Sequence, residues 1–428
     1  LYEMTASIVK IYIQKLKNIF WHLPKSIFFN FYFGFPSKKL TLIAVTGTDG
    51  KTTTVNLLHE LLLQSGVKVG SISTLGAKIG EKNVSVGLHT TSPDSKIVQK
   101  IFRNMVEQGI THAVIEVTAH AIDQYRFWGC NFEVALITNT SHEHLDDFRD
   151  MAHYISTKAK LFTQTKHSIL NKDDPSYQII TALNPKNVIT YSTLEKADYR
   201  ATDIKLTPTK LSFNINKTLI STDSNYLYQV SNILAAFAAA NILNISPDIF
   251  KKVVRQFPSM QGRREEVKND LGIRCIVDFA HTPAAIESTL KTIKATSKGK
   301  NIIIFGATGG RDQSKRPIMG KIVSELADVA IITADDTRHE KIEKINEQII
   351  SGIDQSRVKS KKFSYHNIPG RQDAFNYALK IAQPGDTIIA CGKGHENTIL
   401  HGNTEYPWSE SEAFRTAFRY RNQNNGSI

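Results

Sequence analysis

Short apolar runs separated by stretches of helical periodicity recur along this chain from Leu40 onward, and that alternation narrows its fold more than any other feature. Leu42-Ile43-Ala44-Val45 reads as a strand buried on both faces, followed by a glycine turn and a helix from about Thr52 to Ser65. Val67–Ser73, Ala113–Val117 and Val134–Thr138 read as further strands, with a helix at Ser95–Glu107. A second series places strands at Cys275–Asp278, Ile302–Phe305, Val329–Thr333 and Thr387–Ala390, between helical patterns such as Ala284–Ala295 and Gln372–Ala382. Apolar strands joined through helices predict an α/β fold of mostly parallel sheets with helices on both faces.

With 428 residues the chain is longer than one hydrophobic core usually serves. The pattern divides it into a basic, aromatic segment at 1–39, a central domain at 40–257 and a C-terminal domain at 258–428. The link Phe257-Pro258-Ser259-Met260-Gln261-Gly262 marks a hinge by its Pro and Gly. Between Asn187 and Tyr228, short alternating stretches rich in Thr, Asn and Lys predict a small antiparallel excursion, and an Ala-rich helix follows at Ser231–Leu243.

In the first forty residues Phe20, Trp21, Phe28, Phe29, Phe31, Tyr32, Phe33 and Phe35 interleave with Lys10, Lys15, Lys17, Lys25, Lys38 and Lys39. The stretch Ile8–Trp21 predicts a basic amphipathic helix, which either lies on a membrane or packs its aromatics on the next domain. Packing is the expectation here, with peripheral membrane contact as the alternative. No run is apolar enough to span a bilayer, and no signal-peptide cleavage pattern is expected at the N-terminus. The formal net charge of +13 suits an anionic partner. No recognised nucleic-acid-binding module appears, so nucleic acid is not expected. Cys130, Cys275 and Cys391 lack CxxC spacing, which argues against a disulfide framework or zinc ribbon and favours a reducing cytoplasm.

Gly47-Thr48-Asp49-Gly50-Lys51-Thr52-Thr53 follows the first strand and opens the first helix, the setting of a phosphate loop. Its glycines let backbone N–H groups approach phosphate oxygens, Lys51 neutralises them, and the Thr52 hydroxyl suits Mg²⁺. Glu116 ends another strand. A lone acid there is often a solvated turn residue, but beside a phosphate loop a magnesium carboxylate is the better reading. Lys158, read alone, is an exposed helix lysine. Asn232, read alone, fits either a helix N-cap or a nucleotide contact.

Thr46-Gly47-Thr48-Asp49-Gly50-Lys51-Thr52-Thr53 resembles the ATP loop of the Mur ligase and folylpolyglutamate synthetase family, which commonly has Asn where Asp49 stands. Ile115-Glu116-Val117-Thr118-Ala119-His120 is similar to the family's Glu-Val-Ser-Ser-His, with Thr118 and Ala119 in place of the serines. His142-Glu143-His144-Leu145-Asp146 and Lys158-Ala159-Lys160-Leu161-Phe162 resemble two further family blocks. The resemblance implies that Glu116, His144 and a Lys158 carbamylated by CO₂ hold the metal with Thr52. It also implies that Asn232, Arg263 of Gly262-Arg263-Arg264-Glu265, and Asp278 and His281 of Asp278-Phe279-Ala280-His281-Thr282-Pro283 meet the nucleotide. Arg264 departs from the family's Met. The implied architecture is a P-loop central ATPase domain with a mostly parallel sheet and a C-terminal Rossmann-like α/β domain.

Gly306-Ala307-Thr308-Gly309-Gly310-Arg311, Asp335-Asp336-Thr337-Arg338 and Gly392-Lys393-Gly394-His395-Glu396 together resemble the muramyl-tripeptide synthetase branch. That resemblance implies an incoming diamino acid surrounded by Arg311, Asp335, Asp336, Arg338, Gly392 and Glu396. The family's usual Asp-Asn-Pro-Arg becomes Asp-Asp-Thr-Arg here. Arg338 favours an acceptor with a second carboxylate, because guanidinium binds carboxylate bidentately; meso-diaminopimelate is therefore expected ahead of L-lysine, although Asp336 opposes it. Thr90, Thr91, Thr118, Gln124 and Arg126 match contacts to a muramoyl-dipeptide. The resemblance begins near residue 40, so recognition of the uridine end is left unassigned. The implied activity is ATP- and Mg²⁺-dependent amide ligation through an acyl phosphate.

Overall fold

The computed structural model describes residues 12–80, 82–84, 86, 91–143, 147–207, 210–223, 226–257 and 262–425. Two compact units emerge, the first holding the described residues up to Thr140 together with 147–257, the second holding 141–143 and the described residues from 262.

In the first unit, β1 (Thr41–Thr46), β2 (Val69–Ser73), β3 (Gly76–Ile79), β4 (Lys82–Val84), β5 (His112–Glu116), β6 (Phe132–Ile137), β7 (Thr165–Asn171), β8 (Val188–Ser192), β9 (Tyr199–Leu206), β10 (Leu211–Ile215) and β11 (Thr218–Thr222) form one sheet. Their order is β11-β10-β9-β8-β7-β6-β1-β5-β2-β3-β4. β1 pairs in parallel with β5 and β6, placing its C-terminal end between theirs. The pleat sends Ile43 and Val45 to one face, where they meet Val55, Leu58 and Leu61 of the helix Lys51–Gln64. Leu42 and Ala44 face the other way, toward Val98, Phe102 and Met105 of the helix Ser95–Glu107. Both faces are thus covered, which explains why these strands lack polar alternation.

The antiparallel excursion is smaller than its sequence suggests. β8 pairs in parallel with β7, so the reversal of direction begins only with β10 against β9. Val188-Ile189-Thr190-Tyr191-Ser192 alternates like an antiparallel strand, but its register is set by the free edge of β7.

In the second unit, β12 (Arg263–Val267), β13 (Arg274–Asp278), β14 (Asn301–Phe305), β15 (Val329–Ile332), β16 (Ser364–Asn367) and β17 (Thr387–Cys391) form a sheet ordered β12-β13-β17-β14-β15-β16. All neighbours are parallel except β12, which runs antiparallel along β13. A hairpin, β18 (Thr398–His401) and β19 (Thr404–Pro407), follows. Ile303 and Phe305 face one core, Ile302 and Ile304 the other.

The N-terminal helix departs from expectation in two ways. It runs past Trp21, continuing from residue 12 through a π-helical turn at Asn18–His22 into Leu23–Tyr32. Leu23 N–H bonds Asn18 O across that wider turn, immediately before Pro24, which has no N–H to give and would crowd an α-helical carbonyl. Of its aromatics, only Phe29 and Phe33 are half-buried, Phe29 against Lys96, and the rest do not pack inward. Phe20, Trp21, Phe28, Phe31 and Tyr32 are exposed, whereas Asn18, Ser26 and Asn30 are buried. Asn18 Nδ2 donates to Asp123 Oδ2 at 2.5 Å, and Asn30 Nδ2 donates to the Trp128 carbonyl at 2.8 Å.

Candidate active site

The end of β1 turns through Gly47–Gly50 into the helix Lys51–Gln64. Gly50 has φ +83°, and a Cβ there would meet Asn232 Oδ1 at 2.4 Å, so the turn requires glycine for both backbone and space. The loop is held by its neighbour strand: Thr48 N–H donates to Asn139 O at 2.7 Å, Asp49 N–H to Asn139 Oδ1 at 3.0 Å, and Thr138 Oγ1 to Asp49 O at 2.7 Å.

Three predicted residues converge beneath this loop. Thr52 Oγ1 donates to Glu116 Oε2 at 3.0 Å, and Lys51 Nζ lies 3.8 Å from Glu116 Oε1 while donating to Thr48 O at 2.6 Å. Glu116 is buried, and its Oε2 also receives Thr74 N–H and Thr74 Oγ1, each at 3.1 Å. A hydroxyl and a carboxylate meeting beside backbone N–H groups form a hard-oxygen set that fits Mg²⁺, an ion that takes few protein ligands and keeps several waters. Among the described residues no group of three or more His, Cys, Asp and Glu side chains forms a metal cluster. His144 lies outside the described residues.

Lys158 overturns its isolated reading. From the helix Met151–Ala159 it is buried, 1% exposed, with Nζ donating to Gly47 O at 2.8 Å and lying 4.5 Å over the Tyr154 ring. Tyr154 in turn reaches the loop, its hydroxyl 3.2 Å from Thr48 Oγ1. Thr53 is buried in the first turn of the loop helix. Asn232 is not an N-cap, since its helix begins at Tyr228. Its buried Nδ2 has no hydrogen-bond partner among the described residues, and its amide oxygen faces Gly50.

Around Glu116, the Thr91 hydroxyl accepts from Thr74 Oγ1 at 3.1 Å, and Ser92 Oγ donates to Glu116 O at 2.8 Å. Thr118 caps the helix Ala119–Asp123 by accepting from Ala121 N–H at 3.2 Å. Arg126 grips Gln124 Oε1 through Nε at 3.1 Å and Nη2 at 2.8 Å, and Nη1 bonds Ser92 O. Burial lowers the Arg126 pKa, with Asp94 acting against that. Thr90 lies outside the described residues.

In the second unit, Asp278 is enclosed by a buried partner: Arg264 Nε donates to its Oδ2 at 3.0 Å and Thr289 Oγ1 does so at 3.1 Å. Arg264, the departure from the family's Met, therefore supports this aspartate. Arg263 stacks on Phe279, its guanidinium carbon 4.5 Å from the ring centre. His281 Nε2 lies 3.4 Å from Glu143 Oε1, and buried Lys315 joins them through Glu143 Oε1 at 3.2 Å and His281 O at 3.1 Å. Gly262 serves close approach as well as turning: φ is +63°, and a Cβ would sit 1.9 Å from His395 N.

The blocks Asp335–Arg338 and Gly392–Glu396 follow the C-terminal ends of β15 and β17. Lys393 Nζ, fully buried, bonds Asp336 Oδ1 at 2.7 Å and Glu396 Oε2 at 2.5 Å. Burial works against the Lys393 charge, but Asp335, Glu396 and Asp336 outweigh it and hold the pKa above the ordinary lysine value. Asp336 Oδ1 also accepts Leu400 N–H at 2.9 Å, and Asp335 Oδ1 accepts Asp336 N–H at 2.6 Å. A Cβ on Gly392 would stand 2.5 Å from Asp335 Oδ2. Arg338 has φ 49°, with its backbone tied to Leu400 O at 3.2 Å and Gly402 N at 2.6 Å. Arg311 lies in the turn after β14, where a Cβ on Gly310 would stand 3.7 Å from Arg338 Cδ. A cavity of about 260 Å³ opens beside the block, lined by Thr337, Arg371, Ile399, His401 and Trp408 among others.

Sequence reasoning missed Thr74, Ser92, Lys315, Arg371 and Glu410. Fully buried Arg371 bonds Glu410 Oε1 at 2.7 Å, Ala334 O at 2.6 Å and Cys391 O at 3.0 Å, so it joins the ends of β15 and β17. Thr74, Arg371 and Glu410 lie in no recognisable motif; Ser92 directly follows the Thr90-Thr91 pair, Lys315 follows the glycine-rich block and Lys393 lies inside one, but nothing in the sequence shows what they bond.

Residues 45–240 match the Mur ligase middle domain, and residues 262–394 match the Mur ligase glutamate ligase domain. The UDP-N-acetylmuramoyl-L-alanyl-D-glutamate–2,6-diaminopimelate ligase of Geobacillus thermodenitrificans is 34% identical over 403 residues, covering 91% of this chain and 81% of the relative. The enzyme of the same name from Aquifex aeolicus is 36% identical over 390 residues, covering 90% and 78%. A solved structure of a ligase with that name aligns with a TM-score of 0.60 at 29% identity, over 90% of this chain and 79% of its own. The glycine loop and the strand-end glutamate thus lie in the first matched segment and the blocks from Gly306 to Gly394 in the second, and the chain belongs to the Mur ligase family.

Proposed function

We propose that the chain is an ATP-dependent acid–amino-acid ligase of peptidoglycan precursor synthesis. It joins a diamino acid, meso-diaminopimelate in preference to L-lysine, to the D-Glu carboxylate of a UDP-MurNAc-dipeptide. The observation that carries this reading is the convergence of Lys51, Thr52 and Glu116 beneath the glycine loop.

In this reading the loop N–H groups and Lys51 receive the ATP phosphates, and the Asn232 amide meets the nucleotide side. The terminal phosphoryl group passes to the substrate carboxylate, giving ADP and an acyl phosphate. The acceptor amine then attacks the acyl carbon, phosphate leaves with the C–O bond, and the amine loses its proton. Thr52 and Glu116, with His144 and Lys158 as its carbamate, would hold Mg²⁺. That ion supplies positive charge against the negative charge spread over the transferring group. Lys158 already places its amine against the loop, so a carbamate there would exchange a cation beside the phosphates for an anion that suits the metal. Thr91, Gln124 and Arg126 would position the muramoyl-dipeptide.

Acceptor choice rests on charge. Lys393 neutralises Asp336, which weakens the repulsion an aspartate at this position would exert on a distal carboxylate. Arg338 is then the cation for that carboxylate, and Glu396 the anion for the distal ammonium. The three cysteines are buried free thiols, which supports work in the reducing cytoplasm. A second reading, a lipid-linked muropeptide as carboxylate donor at the inner face of the membrane, is favoured by the outward aromatics of the N-terminal helix.

The test is phosphate release with Mg-ATP and UDP-MurNAc-L-Ala-D-Glu, comparing meso-diaminopimelate, L-lysine and no amine, with product mass. Amine-dependent release and a tripeptide mass are expected. Silence with every amine, alongside release with a lipid-linked donor, would move the assignment to the second reading.

A further inference from the structure

The N-terminal helix is inverted relative to an ordinary surface helix, which turns its apolar stripe inward. Here the buried positions, Asn18, Ser26 and Asn30, are polar, and two of them are tied to the domain: Asn18 Nδ2 to Asp123 and Asn30 Nδ2 to Trp128 O, with Phe29 and Phe33 half-buried beside them. The outward positions are Leu16, Phe20, Trp21, Phe28, Phe31 and Tyr32, with Phe20 74% and Phe31 66% exposed. The inward bonds fix which side faces out, so the helix cannot roll to hide its aromatics without breaking them. Over about 30 Å of helix this leaves a continuous apolar face, long enough to lie on a bilayer. Among the described residues no helix is long and apolar enough to cross one.

Charge selects the occupant. From residue 12 to Lys39 the sequence has Lys15, Lys17, Lys25, Lys38 and Lys39 and no Asp or Glu. Lys15, Lys17, Lys38 and Lys39 are exposed, while Lys25 pairs with Asp94 at 2.9 Å. Against a second copy of the same helix these lysines would meet lysines. Against anionic headgroups they are attracted, and Trp and Tyr suit the boundary between headgroup and acyl chain. We propose that this helix docks the enzyme in the plane of an anionic lipid surface, through the aromatic face from Leu16 to Tyr32 with its flanking lysines. The proposal goes beyond the ligase reading and does not depend on which carboxylate or amine is used.

The experiment is co-sedimentation of the full chain with phosphatidylcholine vesicles, with and without about 30% phosphatidylglycerol, at low salt and at about 0.5 M salt. Trp21 fluorescence is followed in parallel, with Trp21→Phe to identify its contribution. Binding to the anionic vesicles is expected to exceed binding to the neutral ones by about tenfold, to weaken with salt, and to blue-shift Trp21 emission. The triple variant Phe20→Ser, Trp21→Ser, Phe31→Ser should lose about tenfold in binding while phosphate release in solution and melting temperature stay as in the parent, because all three side chains are exposed. Equal pelleting of parent and triple variant, absence of pelleting with either vesicle, or a dimer of the parent that the triple variant abolishes would each overturn the proposal. Since binding is read without turnover, failure here is separable from failure of the ligase assignment.

Discussion

Lys158 Nζ donates a 2.8 Å hydrogen bond to the carbonyl oxygen of Gly47, across 111 positions of sequence. The bond places a buried amine from the helix Met151–Ala159 against the glycine loop, 4.5 Å over the Tyr154 ring.

Replacing that amine separates charge from chemistry. Lys158→Arg keeps a cation but cannot form the same carbamate, and phosphate release should fall on the order of 100-fold. With ¹³C-bicarbonate, the parent should show a carbamate NMR signal that the variant lacks. Lys158→Ala should cost about 1–3 kcal/mol in stability by leaving the Gly47 carbonyl without this donor. A Lys158→Arg enzyme with parental turnover would refute the carbamate.

Glu116→Gln keeps the shape of the side chain that Thr52 and Thr74 address, while removing its charge. Turnover should drop on the order of 100-fold, and the Mg²⁺ concentration for half-maximal rate should rise. A melting temperature near that of the parent would assign the loss to the site. An unchanged Mg²⁺ dependence would remove Glu116 from the metal.

Arg338→Ala is expected to lower kcat/KM for meso-diaminopimelate about 10–100-fold, more than for L-lysine, because only the former offers a second carboxylate. Asp336→Asn should leave Lys393 with less compensation and lower stability by about 1–3 kcal/mol, since Glu396 still faces that ammonium. Parallel losses for both amines would mean that Arg338 does not select.

His59 sets an acid limit on the first unit. Burial, aided by Lys78 and opposed by Glu60, pushes its pKa down from 6.5 to about 4, and its Nε2 has no partner among the described residues. The unfolded chain therefore binds the proton first as pH falls. The contribution is fully present above about pH 6.5 and is lost as pH drops through about 4, a total of about 3 kcal/mol. Denaturant melts at pH 7 and pH 4 should show this loss, and His59→Leu should reduce it. An equal acid loss in both proteins would assign it to other groups.

Local sequence carried much of the site. The loop from Gly47 to Thr53 is contiguous, so its strand-turn-helix setting could be read directly. Glu116 could be read because it ends an apolar run. Thr74 and Ser92 could not, since one hydroxyl at a strand or loop end looks like any other until the sheet brings it to the Glu116 carboxylate or carbonyl. The same holds for Arg371 and Glu410, 39 positions apart and joined only by burial.

By itself the sequence determined the α/β alternation, the phosphate-type loop and the three glycine-containing or acidic blocks at the ends of β14, β15 and β17, because each depends on neighbours a few residues away. Only tertiary structure decided that Lys158 is buried against Gly47, that Asp336 is neutralised by Lys393, that β8 runs parallel to β7, and that the N-terminal helix turns most of its aromatics outward. The physical reason is shared. Burial, ion pairing and strand register depend on which distant segment arrives at a side chain, and periodicity along the chain carries no record of that partner.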